Sequence, residues 1–241
     1  LALFTNTTGA SNTAVGNQTL RLNTTGTRNT SIGYESSKNN TTGQRNDVSG
    51  WRAFFTNTTG SYNAVSGMEA MYSNTTGAEN AAFGYQALFS NTSAANNTAT
   101  GTRAMYANTT GANNTAVGHD ALKDNTTGAN NVAIGGGTLE NNTTAEYNVG
   151  VGKMVLRTNT TGAGNVGVGY EALYDNTTGA NNSAFGRSAA YNNTTGSNNV
   201  AVGLSSLQDN STGSSNTSVG KQAMMRNTTA SENTGVGLSL I

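Results

Sequence analysis

The sequence predicts an all-β protein, a repetitive β-solenoid or β-roll of about 14 coils. Three observations support this: an unbroken 17-residue repeat, a strand-like segment in every repeat, and a composition poor in apolar residues. Leu, Ile, Val and Phe make up only 36 of the 241 residues, whereas Asn alone contributes 37 and Gly 31. This composition does not fill one large globular core, but stacked coils need only a narrow one.

The repeat has the consensus N-T-T-G-x-x-N-x-A-V-G-x-x-A-L-x-x, and Asn108–Asp124 is a representative unit. Positions within the unit are numbered 1 to 17 below, and the first position 1 is Asn6. Insertions in surface loops usually cost little free energy. Their absence from fourteen successive units indicates that each residue lies in register with its counterpart in the next coil.

Positions 1–4 predict a turn in which Asn and Thr bond locally and Gly favours positive φ, with Ala instead at Ala94, Ala145 and Ala230. Positions 7–11 predict a strand bounded by turn residues, with the position-11 Gly at a corner or a close backbone approach. Positions 11–15 fit either a second short strand or one helical turn, because five residues are too few for periodicity to decide.

Two bulky apolar columns predict a thin core. Position 10 is mostly β-branched or aromatic, as in Val15 and Ile32, and position 15 is mostly Leu or Met, as in Leu20 and Met71. Positions 9 and 14 are small and mostly Ala, whereas charged and long polar residues collect at positions 6, 12, 13, 16 and 17. We therefore expect positions 10 and 15 to face inward.

The unbroken Asn column at position 7 predicts a structural ladder, because identical Asn side chains stacked at strand spacing hydrogen-bond along the stack. The predicted ladder consists of Asn12, Asn29, Asn46, Asn63, Asn80, Asn97, Asn114, Asn131, Asn148, Asn165, Asn182, Asn199, Asn216 and Asn233.

The Asn at position 1 begins an N-x-S/T sequon in every repeat, and no Pro occurs in the chain. The candidate N-glycosylation sites are Asn6, Asn23, Asn40, Asn57, Asn74, Asn91, Asn108, Asn125, Asn142, Asn159, Asn176, Asn193, Asn210 and Asn227. Further sequons begin at Asn17, Asn29, Asn96, Asn113, Asn181 and Asn216. Two interpretations stay open: a glycan on each coil of a secreted protein, crowded at about 4.8 Å spacing, or a turn motif without modification.

The aromatic residues at position 16 form two clusters, Phe55–Tyr72–Phe89–Tyr106 and Tyr174–Tyr191. They predict either stacked ladders within the chain or a stripe that contacts a neighbouring chain or a carbohydrate. An apolar stripe on a thin solenoid favours lateral association.

Several function classes have no support in the sequence. The net charge of zero gives no electrostatic footprint for nucleic acid, and no apolar run is long enough for a membrane helix. Cys is absent, the single His119 occupies a variable position, and the acids Glu35, Glu69, Asp120 and Glu171 are scattered along one column. We expect no catalytic residue, no metal site, no cofactor and no enzyme activity.

Two sets of motifs resemble known repeats. Asn131–Gly135 (N-V-A-I-G) and Asn199–Gly203 (N-V-A-V-G) resemble the left-handed β-roll coils of trimeric autotransporter adhesin heads, although those coils are shorter than 17 residues. Asn114–Gly128 resembles the repeats of phage tail fibre and tail spike proteins. The resemblance covers the whole chain and implies a structural, self-associating protein outside the cell or on a virion surface.

We therefore expect an extracellular fibre, filament or adhesin-like surface protein that associates with itself, carries covalent glycans if glycosylated, and spans no membrane. A trimeric phage tail fibre or receptor-binding shaft is the alternative, and an ice-binding solenoid is a third, because Thr arrays on solenoids can bind ice. Residues 1–241 form a single array. Leu1–Thr5 match positions 13–17 and Ile241 falls at position 15, so we expect a segment of a longer chain or filament.

Overall fold

The computed structural model describes residues 1–238, whose backbone forms fourteen three-residue strands, one for each repeat. The strands are β1 (Thr13–Val15), β2 (Thr30–Ile32), β3 (Asp47–Ser49), β4 (Ala64–Ser66), β5 (Ala81–Phe83), β6 (Thr98–Thr100), β7 (Thr115–Val117), β8 (Val132–Ile134), β9 (Val149–Val151), β10 (Val166–Val168), β11 (Ser183–Phe185), β12 (Val200–Val202), β13 (Thr217–Val219) and β14 (Thr234–Val236). Ile241, predicted at position 15, lies outside the described residues.

The chain divides into two compact units, Leu1–Asp120 with β1–β7 and Ala121–Ile241 with β8–β14. Within each unit the strands are parallel and follow chain order. The register pairs residues 17 apart, so that Val15 lies beside Ile32 in the first unit and Val149 beside Val166 in the second. The predicted all-β solenoid is confirmed, and residues 1–238 contain turns rather than a helix at positions 11–16.

The Gly at position 11 ends each strand at a point where the backbones of adjacent coils approach closely. Its φ lies between 128° and 143° in every repeat, a region that L side chains rarely adopt. A Cβ on Gly33 would lie 2.4 Å from the carbonyl oxygen of Gly50 in the next coil. Both predicted explanations for this Gly column, a corner and a close approach, are therefore confirmed.

Left-handed backbone occurs at positions 6, 13 and 15, and at positions 13 and 15 the sequence gives little warning of it. Tyr62 has φ 63°, Glu69 has φ 56° and the buried Leu88 has φ 52°. The Gly at position 4, by contrast, is not among the residues with positive φ, so the predicted reason for that Gly is wrong. It is small because a Cβ on Gly60 would lie 2.4 Å from the Oδ1 of Asn57.

The core has a different composition from the predicted one, because position 10 faces outward. Phe83 and Ile134, both at position 10, are 43% and 41% exposed, whereas Leu88 and Leu139 at position 15 are fully buried. The strand residue that faces inward is the small one at position 9, as its buried place in the middle of each interior strand shows. The core therefore consists mostly of small residues at positions 9 and 14 and, in most coils, of one large residue at position 15.

Substitutions within the small columns are compensated locally. Val155 replaces Ala at position 14, and Gly150 and Gly167 stand at position 9 on either side of it. A Cβ on Gly167 would lie 2.5 Å from the Cγ1 of Val155, so the larger side chain occupies the space that Ala would fill. Similarly, the buried hydroxyls of Ser31 and Ser36 lie 2.7 Å apart and satisfy each other.

Backbone hydrogen bonds between coils continue outside the strands. In the turn after β2, the N–H of Glu35 donates to the carbonyl of Asn17 in the preceding coil at 2.9 Å. The N–H of Ser37 donates in the opposite direction, to the carbonyl of Ala53 in the next coil at 3.0 Å. Each coil is therefore bonded to both neighbours around most of its circumference, which satisfies turn groups that would otherwise need water.

The assignment of inward and outward columns can be tested on one coil. We expect Leu88→Ala to lower the free energy of unfolding by about 2–5 kcal/mol, because it removes a fully buried side chain from a narrow core. Phe83→Ala removes a larger side chain and is expected to cost less than half as much, since Phe83 is already 43% exposed. Urea unfolding of the two variants checks this, and equal losses would contradict the assignment.

Candidate functional site

The position-1 Asn side chains form a buried hydrogen-bonded ladder. Nδ2 of Asn176 donates to Oδ1 of Asn159 in the preceding coil at 2.8 Å and to the carbonyl of Gly179 in its own turn at 3.0 Å. Its Oδ1 accepts from Nδ2 of Asn193 in the next coil at 2.8 Å. Asn176 has no exposed surface, so both N–H groups and the oxygen of a buried amide are satisfied within the ladder.

The position-7 Asn side chains form a second ladder, which agrees with the sequence prediction. Nδ2 of Asn182 donates to Oδ1 of Asn165 at 3.1 Å and to the carbonyl of Gly196 at 2.8 Å. The backbone N–H of Asn182 donates to the same Oδ1 at 2.9 Å. Each such Asn therefore fixes both the side chain and the main chain of its neighbour, immediately before the strand begins.

The two ladders meet at the carbonyl of position 4. The carbonyl of Gly196 accepts from Asn193 of its own coil at 2.9 Å and from Asn182 of the preceding coil at 2.8 Å. Both lone pairs of this oxygen are thereby used. The N-T-T-G turn is thus held by buried Asn amides from its own coil and from the preceding coil.

The ladder favours the turn-motif interpretation of the position-1 Asn over the glycan interpretation. An N-linked sugar replaces one Nδ2 hydrogen, and in the interior coils both hydrogens are already donated inside a buried column, as at Asn74 and Asn159. Only the outermost two differ, since Asn6 is exposed and Asn227 is half-buried. A modified ladder residue would be incompatible with this packing, so N-T-T-G acts as a structural turn here.

Other sequons have accessible side chains. Asn17, Asn96, Asn113 and Asn181 are exposed, whereas Asn29 and Asn216 belong to the buried position-7 ladder. Three sequons at position 17 escaped the sequence analysis because they overlap the position-1 motif. These half-exposed residues are Asn39, Asn141 and Asn192.

The position-16 aromatic residues stack within each unit, as the intrachain interpretation predicts. The ring centroids of Phe55, Tyr72, Phe89 and Tyr106 are separated by 5.1, 5.3 and 5.1 Å along the column, with interplanar angles of 4°, 11° and 9°. Tyr174 and Tyr191 stack at 5.0 Å. Because neighbouring rings cover each other's faces, the column offers mainly ring edges to solvent, which does not suit a sugar that stacks on an aromatic face.

The most buried charged group is Glu35, which is 4% exposed. Its carboxylate oxygens lie 2.6 Å from Nζ of Lys38 and 2.7 Å from Nε of Arg52. Burial by itself raises the pKa of Glu35, but the hydrogen bonds and charges of Lys38 and Arg52 outweigh it and hold that pKa below its ordinary value of 4.5. The cluster has a stabilising role in a coil whose position 14 is Ser36.

The remaining sequence candidates are dispersed. The side chain of His119 is 63% exposed and its Nδ1 lies 3.3 Å from Oδ2 of Asp120, which also contacts Arg103 at 2.8 Å. In residues 1–238, no three His, Cys, Asp or Glu side chains are grouped so that they could hold a metal ion. No helix in that part of the chain is long and apolar enough to cross a membrane.

Comparison with known proteins finds no matching protein-family model, no matching curated protein and no matching solved structure.

We expect Asn176→Ala to lower the free energy of unfolding by several kcal/mol. The substitution leaves the Oδ1 of Asn159 and an Nδ2 hydrogen of Asn193 unsatisfied in a buried column, at about 1–3 kcal/mol for each group. Asn141→Ala is the matched control, because that half-exposed Asn lies outside both ladders. Chemical denaturation of the two variants gives the comparison, and a loss for Asn176→Ala no larger than the control's would contradict the ladder's role.

The Glu35 cluster predicts a component of acid sensitivity. Because the folded-state pKa lies below the unfolded-state value, the contribution to stability is complete above the unfolded pKa and is lost as pH falls through the folded pKa. Between pH 5 and pH 3 the wild type should therefore lose more unfolding free energy than Glu35→Gln, measured by denaturation at each pH. Identical slopes for wild type and Glu35→Gln would refute the assignment.

Proposed function

We propose that this protein is a structural component of an extracellular fibre, filament or adhesin-like surface layer. The observation that carries the proposal is the repetition of the same intercoil bonds, ladder amides and turn backbone alike, through each unit. A chain built this way resists local opening, because each coil can unfold only by breaking bonds to both neighbours. Its variable side chains, at positions such as 6 and 12, are displayed outward on constant coils.

The resemblance to adhesin heads and tail fibres supports the same class of function. A phage tail fibre or receptor-binding shaft is a second form of this proposal, since the same stacked coils would serve as a rigid spacer on a virion. Both forms place the protein outside the cytoplasm. Any glycan that such a protein carries would be attached at exposed sequons such as Asn96, Asn113 and Asn181 rather than at the buried ladder.

A separate observation favours ice binding as another candidate. The position-3 Thr side chains, such as Thr59 and Thr178, are exposed, and their hydroxyls make no hydrogen bond within residues 1–238. The position-2 hydroxyls are different: that of Thr58 donates to the carbonyl of Thr75 at 3.1 Å. Each coil therefore contributes one free hydroxyl, and successive coils form one hydroxyl row rather than two. Measuring the thermal hysteresis of the purified protein would decide whether this row binds ice.

Localisation tests the proposed function directly. Antibodies raised against the purified chain should label fibres, the surface of intact source cells or virion appendages in immunogold electron microscopy, without permeabilisation. Surface label on virion appendages would favour the tail-fibre form, and label on cells the fibre or adhesin form. Label that requires permeabilisation would contradict the proposal in both forms.

A further inference from the structure

The outward face of the second unit is unusually apolar. We define the valine face as the position-8 and position-10 side chains of β8–β14, which are Val132, Ile134, Val149, Val151, Val166, Val168, Ser183, Phe185, Val200, Val202, Thr217, Val219, Thr234 and Val236. These positions are half-exposed or exposed. None of them is charged.

The first unit provides an internal comparison, because it repeats the same backbone. Its corresponding face carries Asp47 and Thr98 at position 8 and Ser49, Ser66 and Thr100 at position 10. The polar substitutions fall on the outer side of the strands, where the core does not require a particular residue type. The apolar character of the valine face is therefore not imposed by the coil itself and needs another explanation, such as a partner.

Charges at the two ends of these strands differ in sign. Lys153, Arg187 and Lys221 follow their strands at position 12, and none of them makes an ion pair within the described residues. Glu146 and Glu232 precede their strands at positions 5 and 6 and are likewise without an ion-pair partner there. The face thus has a mainly basic rim, which also contains Glu171 after β10, and an acidic rim.

We propose that the valine face binds the valine face of a second copy of this chain, with the two coil stacks running in the same direction. A second copy has the same rise per coil, so every outward row can meet a row of equal spacing. In this arrangement the two copies are related by a twofold axis parallel to the coil stacks. The strands of one copy then run opposite to those of the other, which places the basic rim of one copy against the acidic rim of the other. At the level of β9, Lys153 then faces Glu146 of the partner copy.

The opposite arrangement is disfavoured by charge. With the twofold axis along the strands, the stacks would be antiparallel and the basic rims would meet each other, as would the acidic rims. Like charges across an interface reduce affinity and select against that geometry. The rim charges therefore choose between two packings that the apolar rows alone would both permit.

The size of the face sets the expected affinity. Seven strands about 4.8 Å apart, each contributing about five residues with its flanking positions at about 3.3 Å per residue, give roughly 1,100 Å² in projection for both copies together. This lies near the lower limit for a specific interface. The dimer is expected to be reversible, with a dissociation constant in the micromolar range.

Sedimentation velocity across a concentration series tests the proposal. Position 10 provides matched Lys variants in the two units. Ile134→Lys and Val168→Lys should weaken self-association at least tenfold, while Ser66→Lys and Thr100→Lys, at the same position in the first unit, should leave it unchanged. All four side chains lie on the outer side of their strands, so circular dichroism and unfolding midpoints should stay close to wild type. A monomeric wild type, a trimer, or equal weakening by the first-unit variants would overturn the proposal.

A charge swap tests the orientation. Lys153→Glu should weaken the dimer, and the double variant Lys153→Glu with Glu146→Lys should restore it, because each copy then presents the exchanged pair. A double variant weaker than the single one would contradict the parallel arrangement. The dimer proposal rests on the proposed structural function, but the two proposals can be rejected separately. Surface label together with a monomeric protein would reject only the valine-face contact. A dimer without surface label would reject only the extracellular role.

Discussion

The structure depends on one interaction, the hydrogen bond from the side-chain amide of one Asn to the amide oxygen of its counterpart 17 residues away. Nδ2 of Asn57 lies 2.7 Å from Oδ1 of Asn40, and the same contact recurs through the ladder. It has a narrow range of acceptable lengths, so a coil one residue longer could not keep both ladders in register. This constraint explains why the repeat has no insertion or deletion and why position 4 must be small beside the Asn amide.

The ladders matter because the apolar core is thin. Most coils bury one large side chain at position 15, such as Leu122 or Leu173, whereas two carry the small Ser37 and Ala190 there. At about 1.5–3 kcal/mol for a fully buried large side chain, this gain is opposed by two or three non-Gly residues per coil in left-handed backbone, at about 1–2 kcal/mol each. The satisfied amides and intercoil backbone bonds must therefore hold residues such as Leu88 in a conformation that they would not adopt alone.

The sequence was sufficient to predict the solenoid, a strand within positions 7–11, the position-7 ladder and the aromatic stacks, because each follows from periodic identity between coils. It was not sufficient for the side of the strand that faces inward. Size favours Phe83 over Ala82 for the core, but Ala82 is the buried residue and Phe83 is 43% exposed. Nor could the pattern N-T-T-G distinguish a sequon from a buried amide, since the same Asn begins both. The left-handed residues were missed because Leu and Arg carry no local signal for that conformation.

The most direct test of the central claim is hydrogen exchange of the Asn side-chain amides, followed by NMR after selective ¹⁵N-Asn labelling and transfer to D₂O. We expect two populations. Ladder amides, such as those of Asn74, Asn91 and Asn176, should persist because their exchange requires coils to separate, whereas exposed amides such as that of Asn198 should exchange within the dead time. A single fast-exchanging population would show that the ladder amides are open to water and that the Asn ladder does not hold the coils together.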